Sequence, residues 1–239
     1  MTGLVEEISP RDVMHRLDPD RYFIVGRQAL DTVLRFMRVA SIENPGSILD
    51  LPCGHGRVLR FLREQFPDAS ITACDLDVDA VDFCADTFGA RPVYSTADLA
   101  DVSLQGEYDV IWCGSLVTHL HADQWRVLLR LLADHLRESG LLVFTTHGRF
   151  HAGRLRSGQT TMGLSEWAAK TVVADYERSG FGFHSYPGQE AYGISLSSAP
   201  WVCAQVLATP RLRIAAYQER GWSDHQDAVA CIKDSREKG

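Results

Sequence analysis

The chain has 239 residues, 45% of them hydrophobic and 23% charged, with a net charge of −7 at pH 7. This is the composition of an ordinary globule, long enough for one well-buried domain with decorations. The negative balance speaks against general attraction to nucleic acid or an anionic membrane, and no apolar run reaches the ~18 residues of a membrane span. The first residues are polar and acidic, so no signal peptide is evident. The six cysteines are scattered, without a Cys-x-x-Cys pair or zinc spacing, which reads as buried free thiols in a reducing cytoplasm.

Taken in chain order, residues 22–40 read as a helix with apolar positions at Phe23, Leu30, Val33, Leu34 and Met37, and Pro45-Gly46 then turns the chain. An apolar strand ends in Asp50, followed by the loop Leu51-Pro52-Cys53-Gly54-His55-Gly56 and an amphipathic helix. Glycines there let the backbone approach a ligand closely, and the helix behind the loop points free N–H groups at the same spot. Residues 70–75 read as a second strand ending in Asp75, with Asp77 and Asp79 as caps of a helix over 80–88. A third strand over 91–95 leads to Ala97-Asp98-Leu99, and a fourth over 108–113 ends at Gly114-Ser115-Leu116. A periodic helix over 122–138, with Trp125, Leu128, Leu129, Leu132 and Leu136 on one face and Asp123 as N-cap, precedes a fifth strand over 140–146 that ends at His147. Five β-α units in series imply a parallel sheet with helices on both sides. Beyond it, residues 148–161 read as an Arg- and Gly-rich loop, 164–179 as a helix stopped by Gly180, and 191–196 as a short strand. A helix follows over 199–208, and two strands over 211–219 and 227–234 flank a turn at Gly221-Trp222-Ser223-Asp224-His225.

Asp50-x-Pro52-x-Gly54-x-Gly56 resembles the first motif of class I S-adenosylmethionine-dependent methyltransferases, usually acidic-x-Gly-x-Gly-x-Gly, with Pro52 in place of the first glycine. Proline fits there if φ is near −65° and no N–H is needed. Asp75, 25 positions after Asp50, and then Asp98 and Gly114-Ser115 match later positions of the pattern in order, so the resemblance covers roughly residues 45–150. It implies an α/β, doubly wound, mostly parallel seven-stranded sheet with helices on both faces and a C-terminal antiparallel strand pair. It also implies S-adenosyl-L-methionine as cofactor, held by Asp50, Pro52, Cys53, Gly54, His55 and Gly56 of the loop region, by Asp75 and Leu76, by Ala97, Asp98 and Leu99, and by Cys113, Gly114 and Ser115. Asp75 would take the ribose hydroxyls and Asp98 would approach the adenine amino group. Residues 1–44 are then an N-terminal helical cap, 45–150 the cofactor-binding core, and 151–239 the remainder of the domain with an acceptor-binding lid. The stretch Trp222-Ser223-Asp224-His225-Gln226-Asp227 resembles a subgroup of bacterial methyltransferases associated with glycan synthesis. Two alternatives stand beside this. A nicotinamide-dependent oxidoreductase would carry Gly-x-Gly-x-x-Gly, but the third position here is Leu59. A non-catalytic member of the fold would bind an adenosine ligand without turnover.

In an open parallel sheet the ligand lies outside the carboxyl ends of the strands, so the residues after the fourth and fifth strands are the catalytic candidates. His119 and His147 are the candidate bases for a hydroxyl acceptor. His55 is expected to shape the loop, and Arg57 to reach a carboxylate, the cofactor's or Asp50, or to lie solvated. His119 and His121 diverge by about 200° on a helix, so His119-Leu120-His121-Ala122-Asp123 is not taken as a metal site. Tyr22, Arg149 and Tyr192 are the candidate acceptor contacts, with Arg154 and Arg156 beside Arg149. The expected acceptor is a small molecule or glycan-linked, methylated on oxygen; no nucleic-acid partner is expected.

Overall fold

The computed structural model describes residues 3–189 and 191–235. Two helices come first, α1 (Val13–Leu17) and α2 (Pro19–Ala40), and then the βα series begins. It runs β1 (Ser47–Asp50), α3 (Leu59–Gln65), β2 (Ser70–Asp75), α4 (Val78–Phe88), β3 (Arg91–Tyr94), β4 (Tyr108–Cys113), α5 (Ala122–His135) and β5 (Leu136–Thr146). After β5 come α6 (Arg149–Arg156), α7 (Glu166–Ser179), the hairpin β6 (Phe181–Ser185) and β7 (Gly193–Ser197), and α8 (Ala199–Ala208). β8 (Leu212–Trp222) and β9 (Gln226–Lys233) close the chain's main sheet. That seven-stranded sheet has the order β3-β2-β1-β4-β5-β9-β8, with the first five strands parallel and β9 antiparallel to both neighbours.

Both faces of the sheet are covered, which is why its strands read as continuous apolar runs. Neighbouring residues of one strand go to opposite cores. Ile48, Val110, Leu141 and Val143 pack with α2, α3 and α4, whereas Leu49, Ile111, Leu142 and Phe144 pack with α5 and α8. A third, smaller core holds Ala152, Leu155, Val172, Ile194 and Leu196, so α6, α7 and the β6–β7 hairpin form an insert of their own between β5 and α8. Among the described residues no helix is long and apolar enough to cross a membrane.

Three local expectations are corrected. The helix expected over 122–138 stops at His135, and Leu136 opens β5 opposite Tyr108. The reason is tertiary: Lys233 reaches in from β9 and donates to the carbonyl of Leu136, a cation at the helix C-terminus. The cap of α5 is His121, whose Nδ1 lies 3.5 Å from the Asp123 amide while Gln124 Oε1 accepts from the His121 N–H; Asp123 instead pairs with Arg126 at 3.0 Å. Residues 149–156 are helical rather than a loop, because Ala152 and Leu155, three apart, anchor that polar run in the third core. α1 and β6 were not anticipated.

Candidate active site

The carboxyl ends of β1, β2 and β4 meet around the loop after Asp50. Leu51–Pro52 is a cis peptide, and Gly54 and Gly56 have φ of +48° and +78°, a region that a residue with a Cβ enters at a cost. Gly56 has a second reason to be glycine: a Cβ there would lie 2.4 Å from the Phe88 ring. The loop is tied down from β2, since the Gly54 N–H donates to Asp75 Oδ2 at 2.8 Å and the Cys53 N–H to the Cys74 carbonyl at 3.0 Å. The other oxygen of Asp75 accepts from the Asp77 N–H. Gly26 of α2 packs so closely on this region that a Cβ would lie 2.2 Å from the Arg57 carbonyl.

Two adjoining cavities lie over this rim. The larger, about 470 Å³, is lined by Pro52, Asp75, Leu76, Ala97, Leu99, Ser115, Leu116 and Tyr192, among others. The smaller, about 200 Å³, is lined by Cys53, Gly54, His55, Arg57, Trp112, Gly114, His119 and Trp222, among others. Pro52, Asp75, Ser115 and Tyr192 line both and so mark their junction. The cover over the larger cavity comes from the β6–β7 loop, through Gln189, Ala191 and Tyr192.

Charge in the site is unbalanced in an informative way. Asp50 is buried, and neither carboxylate oxygen has a hydrogen-bond partner among the described residues. Burial, and then the charge of Asp75, push its carboxyl well above the usual carboxylate range, against the pull of Arg57. Arg57 faces the smaller cavity without an ion pair among the described residues; its guanidinium carbon lies 5.8 Å from the centre of the Trp222 ring. Burial lowers its pKa from the usual arginine value.

His119 is half-buried on the cavity wall. Its Nδ1 is 2.7 Å from the Gly193 carbonyl, which can only accept, so the ring proton sits on Nδ1 and Nε2 carries the lone pair. Its ring stacks on Tyr192, with centroids 4.6 Å apart and planes at 19°. Burial lowers the His119 pKa below the ordinary histidine value, opposed by the Gly193 bond. His147 is buried and lines neither cavity; its Nδ1 has no partner among the described residues, and burial together with His151, His119 and His225 hold it neutral. His55 is 3.1 Å from Asp79 through Nε2, packed under the loop.

The structure therefore brings Pro52, Cys53, Gly54, His55, Asp75, Leu76, Ala97, Leu99, Gly114, Ser115, His119 and Tyr192 to the cavity walls. Asp50, Gly56 and Cys113 lie in the layer behind. Asp98 does not line the cavity; its Oδ1 caps a short turn through the Ala100 N–H. Tyr22 is also away from the walls, for a physical reason: its buried hydroxyl donates to Asp12 Oδ2 at 2.6 Å, and Asp12 in turn caps α1. Arg149 is outside because it pairs with Glu219 on the surface at 2.6 Å. Asp12, Met14, Trp112, Trp222, Gln189 and Leu116 on the walls were missed. Only tertiary contact brings Asp12, Met14 and Trp222 to the loop, so no local signal marks them, whereas Trp112 directly precedes the motif position at Cys113.

Sheet order, rim position and the antiparallel β9 define the class: this is the Rossmann-like fold of class I S-adenosylmethionine-dependent methyltransferases. An antiparallel strand beside β5 departs from the nicotinamide-type sheet, which continues in parallel. Residues 48–140 match the methyltransferase domain family. A malonyl-[acyl-carrier protein] O-methyltransferase of Acetivibrio thermocellus is 27% identical over 143 residues, 59% of this chain and 50% of that protein. The chain spans about half the length of the curated relatives it matches first. Two solved structures share the fold. A S-adenosylmethionine-dependent methyltransferase from Clostridium acetobutylicum has a TM-score of 0.64 at 14% identity, covering 93% of this chain and 98% of that one. A sugar N-methyltransferase from a Streptoalloteichus species has 0.63 at 17% identity, covering 98% of each.

Proposed function

We propose that this protein transfers a methyl group from S-adenosylmethionine to a hydroxyl of a small or glycan-linked acceptor, with His119 as the base. The observation that carries the reading is a pair of groups at the glycine loop, Asp50 without a hydrogen-bond partner and Arg57 without an ion pair among the described residues. An amino-acid tail has an ammonium and a carboxylate, so it offers the donor that Asp50 lacks and the anion that Arg57 lacks. Asp75 stands at the junction of the cavities, where a carboxylate takes ribose hydroxyls, and Leu76, Ala97, Leu99 and Leu116 offer apolar walls for a base. When bound, the cofactor supplies a methyl group on a sulfonium centre.

The chain's own part is positioning, exclusion of water and removal of one proton. The Gly193 carbonyl keeps the His119 proton on Nδ1, so Nε2 accepts the proton of the acceptor hydroxyl as its oxygen gains the methyl group. Its lowered pKa keeps the ring neutral at pH 7, the form a base requires. Tyr192, stacked on that ring, holds its plane and covers the site. The curated relative named as a malonyl-[acyl-carrier protein] O-methyltransferase supports oxygen as the target atom.

The test is calorimetry with S-adenosylhomocysteine, followed by turnover of S-adenosylmethionine on a panel of hydroxyl acceptors by wild type and His119→Asn. Binding with turnover, and a fall in kcat of about 10²–10⁴ in the variant at unchanged cofactor affinity, is expected. No binding overturns the methyltransferase reading. Binding with no turnover on any acceptor favours the non-catalytic adenosine-ligand reading. Turnover unaffected by His119→Asn removes the base.

A further inference from the structure

Ser115 is one of eight non-glycine residues with positive φ among the described residues, at +61°, and it stands where the two cavities join. A serine in that left-handed conformation is disfavoured unless its surroundings hold it. Its surroundings do so through a closed ring of hydrogen bonds. The Ser115 N–H donates to Thr145 Oγ1 at 2.8 Å, and the Thr145 hydroxyl donates to Gln226 Oε1 at 2.6 Å. Gln226 Nε2 then donates back to Ser115 Oγ at 3.0 Å. Every donor in the ring meets an acceptor, and the amide orientation follows from that direction. A further bond, from Thr118 Oγ1 to the Ser115 carbonyl at 2.8 Å, holds the other side of the turn.

Gln226 is the remote member. It is the first residue of β9, 111 positions away from Ser115, and it is only 4% exposed. Gln226 does not line either cavity among the described residues, and a buried amide is costly unless both its groups are used. Here both are, and both lead to residue 115. β9 is also the antiparallel strand wedged between β5 and β8, so the ring couples the C-terminal strand pair to the rim after β4.

We propose that Gln226 is a positioning residue for the methyl-transfer site: with Thr145 it holds Ser115 in its left-handed turn and thereby sets the shape of the cavity junction. The inference rests on the reading of that junction as the cofactor site. It predicts an unusual rescue. Glycine takes φ of +61° without penalty, so Ser115→Gly makes the clamp unnecessary.

The experiment measures S-adenosylhomocysteine affinity by calorimetry and melting temperature for wild type, Gln226→Leu, Ser115→Gly and the double variant. Expected are a roughly five- to tenfold loss of affinity from Gln226→Leu in the wild-type background, and a loss of less than twofold from the same substitution in the Ser115→Gly background, whatever affinity Ser115→Gly has by itself. If Gln226 only fills space in the core, glycine at 115 restores nothing. Unchanged affinity in Gln226→Leu, or the same fold loss from Gln226→Leu in the Ser115→Gly background as in wild type, overturns the proposal. Should Gln226→Leu fail to fold, Thr145→Val removes the same ring at nearly constant volume and is read by the same two outcomes. Failure of wild type to bind S-adenosylhomocysteine overturns the cofactor reading and this proposal with it; wild-type binding with no effect of the variants overturns this proposal alone.

Discussion

Replacing Asp50 by asparagine should strengthen the cofactor-free protein and weaken its hold on the cofactor. Asp50 is buried with both oxygens unpartnered, beside the charge of Asp75. A buried, unsatisfied charged group costs at least as much as a neutral one, about 1–3 kcal/mol. Asparagine keeps unpaired polar atoms but sheds the charge, so a gain of about 1 kcal/mol is a fair expectation. For a chain of this size that is a rise of roughly 2–4 °C in melting temperature. The pH dependence gives a second signature. The folded-state pKa of Asp50 lies above the unfolded value, so between them the native state binds the extra proton. Wild-type stability therefore falls as pH rises from about 4 through the folded pKa, and the advantage of the variant grows over the same window.

The binding arm has the opposite sign. An ammonium donating to the carboxylate makes a charge-assisted bond worth about 1.5–3 kcal/mol, or roughly 10- to 150-fold in affinity. Asp50→Asn keeps one acceptor oxygen but loses the charge. Differential scanning calorimetry of the free protein and titration with S-adenosylhomocysteine, which retains the amino-acid tail, read the two effects separately. A lower melting temperature together with affinity within twofold of wild type would refute the reasoning, since Asp50 would then be an ordinary structural carboxylate.

Other outcomes follow from the same geometry. Arg57→Met should weaken S-adenosylhomocysteine binding roughly tenfold by calorimetry without lowering the melting temperature of the free protein, because the cation has no ion pair among the described residues to lose; a lowered melting temperature with intact affinity would contradict it. Gly56→Ala meets both a φ of +78° and the Phe88 ring, so it should cost at least about 2 kcal/mol, a fall of roughly 4–8 °C in a thermal melt. The turnover rate should hold as pH falls through the ordinary histidine range and drop only on its acid side as His119 takes a proton, and this dependence should flatten in whatever residual activity His119→Asn retains. Acid stability has its own histidine signature: His151 is held down to about 4 by burial, His225 and Arg154, and burial lowers His147 as well. Their folded pKa values lie below the unfolded one, so stability is full above about pH 6.5 and is lost as pH falls toward 4. The slope of melting temperature against pH should be shallower in His151→Asn, and an equal slope would count against it.

What could be read in the chain depends on how local its cause is. Five strands and the loop were legible because each carries its signal within a few residues: an apolar run, a terminal carboxylate, glycines where φ is positive. The end of α5 was not, since Leu136 fits the apolar face of a helix and the first position of a buried strand equally well, and Lys233 of β9 decides between them. α6 hid for the same reason, its two anchoring residues being meaningful only beside the third core. The site divides along the same line. Residues that touch the loop through their own strand ends, such as Asp75 and Ser115, stand in motif order. Asp12, Trp222 and Gln226 arrive from the two ends of the chain and have no motif to announce them. Tyr22 shows the converse: an aromatic on the right helix, drawn inward because Asp12 offers its hydroxyl a buried partner at 2.6 Å, which solvent beside a cavity would not match. The outer walls of the two cavities are therefore the least legible layer, because the insert after β5 and the two ends of the chain reach the rim through long-range contacts.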